Sequence, residues 1–413
     1  MKHYDIIISG GGIIGLAIAY GLKNINLKIL IVECKEERLN LNKKPLIQNI
    51  ERFSALNMSS KLFFQYLGIW EQILNLNFSN AFYGVEAWEL DSFGQINFNS
   101  QHHKLSEPLG YIVSNQEIHN ILWKHLRTLK NITIINSVKF NNISFKKDHA
   151  VIKLNNNDII STHLVIAADG SHSWLRTNSD IPFTFWKYRH HALIATIHTK
   201  QKHQSIAYQI FHKDSILALL PLQDSHISSI VWSLPPQKAL HFQKISEVLF
   251  NQYLSIHSDL RLGLCKLISK RNIFPLIGCY AHNFAKHRLV LVGDAAHTIH
   301  PLIGQGLNLG LIDAAELIGE IYRIHNQGYD FGQHLSLRYY ERHRKYNTFL
   351  MLIGAQGFYT LFNGNYLGKK FLRNSLLTIT DKFPIAKSYL LQYAQGIHDI
   401  PKWMLHSKSK IIE

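Results

Sequence analysis

Cysteine is scarce in this chain. Three cysteines, Cys34, Cys265 and Cys279, are scattered through 413 residues with no C-x-x-C spacing. That excludes a disulfide framework, a cysteine-ligated zinc site and a redox dithiol, and it points to a reducing compartment, the cytoplasm. Acidic residues are also few, 28 Asp+Glu against 44 Lys+Arg, for a formal net charge of +16. The excess is spread along the chain and forms no basic arm, so no nucleic-acid partner is read from it. Internal repeats and Ser/Gly-rich linkers are missing, which predicts domains that interleave. The apolar stretch 5–22, DIIISGGGIIGLAIAYGL, could pass for a leader or a short membrane span. Its central glycines and the lack of a cleavage site argue against both.

What is present reads as a globular enzyme, 46% apolar and 17% charged, long enough for two domains and a helical appendage. Residues 4–9 (YDIIIS) form a short buried-strand pattern, IIGLAIAYGL follows at helical period, and LKILIVE (27–33) is a second buried strand. Between them Gly10, Gly12 and Gly15 stand in the G-x-G-x-x-G frame, with Glu33 closing the second strand. The first glycine makes a tight turn and the second admits a pyrophosphate. The third lets helix and strand pack, and Glu33 can accept both hydroxyls of an adenosine ribose. NAD and FAD share that ADP half, so this motif alone does not choose between them.

Further along, FYGVEAWEL and QINFN form a hairpin pattern, a helix is expected over about 115–129, and alternating strands dominate 189–233. RLVLVGD (288–294) returns to the buried parallel style, and from about 306 onward the chain reads as helical. The stretch GDAAHTIHPLIGQGLNLG (293–310) joins a strand end to a glycine-studded helix start. Asp294 after Gly293 can accept a hydrogen bond from a ribityl hydroxyl, and Pro301 stiffens the approach. Backbone N–H groups around Gly304, Gly306 and Leu307 suit the electron-rich edge of a flavin, and Asn308 can bond its ring. This second half favours FAD. ADGSHSWLR (168–176) is, as bare chemistry, a polar turn with Asp169, Gly170, a capping Ser173 and Arg176.

Together these three stretches resemble the class A flavoprotein monooxygenases, and within them the ubiquinone-biosynthesis hydroxylases. The likeness to GDAAHTIHPLIGQGLNLG is nearly residue for residue. It extends through RFSALNMSSKLFFQYLGIW (52–70), LGYIVSNQEIH (109–119), DIPFTFWKYRHHALIATI (180–197) and YERHRKYNTFLMLIGAQGFYTLF (340–362). The resemblance implies that NAD(P)H transiently reduces FAD and that O₂ then gives a flavin C4a-hydroperoxide. That species hydroxylates a polyprenylphenol ring, with C5 the expected position. It also implies that Arg52 lies near the FAD pyrophosphate, and that Asp169 and Arg176 serve FAD and NAD(P)H. Asn115 stands where many relatives place an arginine facing the flavin, and Ile303 where an alanine is common. No catalytic group is assigned; His297 and His300 are the acid–base candidates. His190-His191 is not taken as a metal site, and no metal is expected.

The expected fold is α/β: a Rossmann-type βαβ FAD-binding domain (1–80, 105–180 and 275–335) interleaved with a mostly antiparallel β-sheet substrate domain (81–104 and 181–274), then C-terminal helices (336–413). An insoluble prenyl substrate implies peripheral contact with the inner face of a membrane, and the resemblance adds a ubiquinone-biosynthesis complex as partner. TFLMLIGAQGFYTLF (348–362) is either a core helix or an interfacial one. Two rival functions stay open: a flavin monooxygenase of a soluble aromatic compound, and a non-catalytic flavin-binding subunit of a biosynthetic complex.

Overall fold

The computed structural model describes the chain apart from residues 37–51, 77–78, 91, 100–106, 300–303, 363–373, 376–377, 379, 382 and 407–413. From the N-terminus, β1 (Lys2–Ser9), α1 (Ile13–Gly21) and β2 (Ile29–Val32) form the expected βαβ unit, with the two strands parallel. Ile6, Ile7 and Ile8 are each fully buried, because β1 is covered on both faces. A parallel strand so placed carries an unbroken apolar run instead of alternation.

Next come β3 (Phe53–Leu56), α2 (Met58–Leu67), β4 (Gly110–Ser114) and α3 (Asn115–Leu126). β3 pairs antiparallel with β4, and the Asn115 N–H donates to the Arg52 carbonyl, setting those two residues side by side. Ser114 caps α3 by accepting from the Glu117 N–H. β5 (Ile159–Ala167) then lies parallel to β1 on the side away from β2.

The remaining landmarks are β6 (Phe183–Thr199), β7 (Asn272–Ala281), β8 (Leu289–Leu291), α4 (Gly306–Asn326) and α5 (His334–Phe362). Among the described residues the first sheet runs 285–286, β8, β5, β1, β2, 132–135, with an antiparallel ribbon of 140–145 and 150–154 beside β5. A second, nine-stranded sheet is mostly antiparallel and contains β6, β7 and the hairpin of 84–89 with 95–99. It holds a separate core around the fully buried Trp232, which stacks on Phe242 at 4.8 Å. β7 carries this sheet past residue 275, and 297–298 add a further strand to it, so its edge runs into the chain that leads to α4.

α1 packs on α3 and α4, and α4 packs on α5. Near the C-terminus the Trp403 indole lies against Gly319 of α4, so close that a Cβ there would meet Nε1 at 2.1 Å. The segment around Trp403 is thus fastened to α4.

Candidate active site

β1, β5 and β8 are parallel neighbours, so the three loops that follow them emerge at one edge of the sheet. These are the loops of the three sequence fingerprints: Gly10–Gly12, Asp169–Gly170 and Gly293–Asp294. Gly10 has φ +106°, and a Cβ on it would sit 2.4 Å from the Ala168 carbonyl oxygen, so the first loop can pass the second only as glycine. A Cβ on Gly15 would meet the Gly10 carbonyl oxygen at 2.1 Å, which makes it the packing glycine. A Cβ on Gly12, Gly170 or Gly306 would meet nothing within 4 Å. Packing does not require glycine at those three positions; open space lies in front of them.

Glu33 closes β2 as expected. Its Oε2 accepts from the Gly11 N–H at 2.7 Å and its Oε1 from the Lys35 N–H at 2.8 Å, and the carboxylate retains further acceptor capacity. His119, on the face of α3 one turn beyond Asn115, donates from Nε2 to the Gly11 carbonyl at 3.0 Å. Burial holds this imidazole below its ordinary basicity, so it is neutral. Sequence reading missed His119, although its i, i+4 spacing from Asn115 is the visible signal. α1 begins at Gly12 without a side-chain cap, leaving its first N–H groups free for an anion.

In the second loop, Asp169 Oδ2 accepts from the N–H groups of Trp174 (2.9 Å) and Leu175 (3.3 Å), and Ser173 caps the same turn from the Arg176 N–H. Burial raises the Asp169 carboxyl, against the hydrogen bonds from Ser173 and the backbone. Arg176 is buried. Its Nη1 donates to the Ala295 carbonyl and its Nη2 to the Ser171 carbonyl, both at 2.8 Å, so one guanidinium joins the second loop to the third.

The third loop is a single 3₁₀ turn, Gly293–Ala295. Asp294 is exposed, and its carboxylate makes no hydrogen bond among the described residues. Desolvation by the surrounding protein raises its carboxyl, with Arg52 and His297 pulling it back down. Behind the turn lies Asp313, fully buried on α4. Its Oδ2 accepts from the Gly293 N–H at 3.0 Å and from His297 Nε2 at 2.6 Å, and its Oδ1 accepts from Arg344 Nε at 2.6 Å. Arg344, also fully buried, continues to Asp399 at 2.9 Å. His297 is 1% exposed and stacks on Phe284. An acid–base candidate from sequence, it is sealed behind the turn and engaged with Asp313. His300, Pro301 and Ile303 lie outside the described residues.

α4 starts at Gly306 after Gln305 and carries no side-chain cap. The Gln305 side chain faces away: Nε2 donates to the Ala394 carbonyl and Oε1 accepts from Asn57 Nδ2. Gly304 turns the chain with φ +65°. Gly310 lets α4 approach closely, since a Cβ there would meet Ile14 at 3.0 Å and the Gly293 Cα at 3.3 Å. The three glycines of this segment therefore serve three ends: a left-handed turn, open space and helix packing. The Asn308 side chain has no spare valence. Oδ1 accepts from the Asn57 N–H and Ser60 Oγ, and Nδ2 donates to the Ala55 and Gly304 carbonyls. It fastens α4 to β3 and α2, so only its backbone N–H could face a ligand. Arg52, at the start of β3, is exposed, and Asn115 Oδ1 is buried without a hydrogen-bond partner.

These features fit a flavin dinucleotide: two uncapped helix starts, a carboxylate for a ribose, a second carboxylate with unused acceptors, and glycines fronting open space. Residues 3–344 match the family described as FAD binding domain. The chain is 28% identical over 396 residues to the 3-demethoxyubiquinol 3-hydroxylase of Escherichia coli (strain K12), covering 95% of this chain and 98% of that one. It is 29% identical to the mitochondrial ubiquinone biosynthesis monooxygenase COQ6 of Danio rerio, covering 95% and 89%. The p-nitrophenol 4-monooxygenase PnpA of Pseudomonas putida DLL-E4 shares the fold, with a TM-score of 0.77 at 16% identity over 97% of this chain and 100% of that one.

Proposed function

The chain belongs to the FAD-binding-domain family and is an FAD-dependent monooxygenase, and from that premise we propose that it hydroxylates the aromatic ring of a polyprenylphenol in ubiquinone biosynthesis, at C5, using NAD(P)H and O₂. One observation carries the reading: three separate fingerprints meet at one sheet edge around glycines whose missing side chains leave open space. FAD, when bound, supplies the redox chemistry, accepting electrons from NAD(P)H and passing them to O₂. The rest falls to the protein. Gly12 and the start of α1 would hold the pyrophosphate, with Arg52 beside them, and Glu33 the adenosine ribose. Asp294 would hold the ribityl chain. The N–H groups of Gly306 and Leu307 would stabilise negative charge on the ring edge by about 0.3–2 kcal/mol. His297, Asp313 and Arg344 keep the Asp294 turn in place, and water exclusion protects the oxygen transfer.

Membrane contact is supported by α5. Leu335, Tyr339, Tyr346, Phe349 and Ile353 are all exposed, and with Arg342 they follow 3–4 spacing on a single face. No helix among the described residues is long and apolar enough to cross a membrane. An aromatic stripe flanked by Arg338 and Lys345 suits contact with an anionic surface from which a prenylated phenol is drawn. Residues 369–373, whose positive charge also favours lipid, lie outside the described residues.

The test is lipid analysis of cells lacking this protein. Accumulated 2-polyprenylphenol, cleared by the wild-type gene but not by Asp294→Ala, is the expected result. An unaltered quinone pool with activity on soluble phenols would overturn it. The E. coli relative is named for a demethoxyubiquinol. Accumulation of that later intermediate would keep the reaction type and move the ring position.

A further inference from the structure

The opposite edge of the same sheet carries a second group of chemistry-bearing side chains. β1 and β5 are in parallel register, His3 level with Ser161 and Tyr4 with Thr162, so His3 and Asp5 of β1 share one sheet face with Ser161 and His163 of β5. The side chains confirm that placement. His3 Nδ1 lies 3.0 Å from Ser161 Oγ, His163 Nδ1 lies 3.6 Å from Asp5 Oδ1, and the two imidazoles meet edge to face at 4.7 Å. His3, Asp5 and His163 can each offer one ligand atom, and these atoms lie within 4.8 Å of one another.

We propose that His3, Asp5 and His163 form a binding site for one divalent transition-metal ion of the zinc class. Two imidazoles and a carboxylate are a ligand set such ions accept, with solvent completing the coordination. Two of the three side chains, Asp5 and His3, are already oriented. Asp5 Oδ2 accepts from the Lys28 N–H at 2.7 Å and leaves Oδ1 available, while the Ser161 hydroxyl holds one nitrogen of His3 and leaves the other. The residues are partly exposed, so an ion has a path in. Rigid strands place all three ligands.

The site is separate from the dinucleotide edge: Gly10 lies five residue steps along the chain from Asp5, about 17 Å at ~3.3 Å per residue. Its consequence is mechanical. β1 leads into the Gly10–Gly12 loop and β5 into the Asp169–Gly170 loop, so an ion bridging the far ends of both strands braces the pair that carries two of the three cofactor loops. It binds whether or not the hydroxylase reading holds.

The experiment uses the full-length, untagged, FAD-loaded protein after removal of metal with a chelator. Calorimetric titration with Zn²⁺ should show saturable binding of one equivalent, and Co²⁺ in its place should give visible d–d bands. His3→Gln and His163→Gln should each weaken Zn²⁺ binding by about 100-fold or more while FAD content, the check on folding, is retained. X-ray absorption of the zinc-loaded wild type, which needs no variant, should report imidazole nitrogen and carboxylate oxygen neighbours. Absent saturable binding, undiminished binding in both variants, or a sulfur neighbour would each overturn the proposal.

Discussion

His297 Nε2 lies 2.6 Å from Asp313 Oδ2, with both side chains sealed from solvent, and that same oxygen receives the Gly293 N–H at 3.0 Å. One buried carboxylate therefore fixes both ends of the Gly293–His297 turn that presents Asp294. Asp313→Asn should lower stability by about 3–5 kcal/mol, the cost of breaking a buried charge pair from one side. Burial pushes the Asp313 carboxyl up, but His297 and Arg344 outweigh it and leave it below its ordinary value. A lowered carboxyl stabilises above the unfolded value near 4, and that contribution is lost as pH falls through the folded one. Wild type should thus show an acid limb that Asp313→Asn lacks, read by thermal unfolding between about pH 2 and 5. Identical profiles would remove Asp313 from the account.

The two inner glycines of the first loop should respond oppositely to alanine. A Cβ on Gly12 meets open space, whereas one on Gly15 meets the Gly10 carbonyl oxygen at 2.1 Å. Gly12→Ala should leave the thermal stability of the FAD-free protein within about 1 kcal/mol of wild type and abolish FAD retention. Gly15→Ala should destabilise even the FAD-free chain. Absorbance at the flavin bands beside a melting curve separates the two effects, and a Gly12→Ala protein that keeps its FAD would contradict the site.

Arg176 should not tolerate lysine. Its two nitrogens reach carbonyls of two different loops, Ser171 and Ala295, and an ammonium on a flexible stem cannot reproduce that fork. Arg176→Lys should cost about 1–3 kcal/mol and weaken FAD binding together with stability. If FAD affinity is unchanged in equilibrium dialysis while stability falls, the guanidinium is a packing group without influence on the cofactor loops.

Sequence reading reached furthest where function and chain order coincide. The βαβ unit, the hairpin of 84–99, α3 and β8 were legible because each rests on a local period or turn residue. Glu33 was legible as a strand-end acid. Asp313 and Arg344 were not, because their chemistry depends on α4 and α5 meeting behind a turn, and nothing local marks either residue as buried. His297 was an acid–base candidate, yet its ring is buried and engaged with Asp313. The 348–362 stretch left core and interface open; Phe349, Leu350 and Ile353 prove exposed, since α5 buries a different face. The His3–Asp5–His163 group needed the register of two strands far apart in the chain.

Glu117 offers a pH test on α3. It stands in the first turn of α3, 7% exposed, with Oε2 lacking a hydrogen-bond partner. Burial raises its carboxyl from 4.5 to about 7, so the folded chain keeps a proton that the unfolded chain releases. Stability should therefore fall as pH rises from about 4.5 to 7, by a total on the order of 3 kcal/mol at 1.36 kcal/mol per unit. Glu117→Gln keeps the shape of the neutral acid and cannot ionise. It should match wild type near pH 5 and exceed it at pH 8, with a gap in melting temperature that opens through the neutral range. A gap that is constant with pH would mean that the carboxyl ionises at its ordinary value and that the buried pocket around α3 is wetter than its exposure suggests.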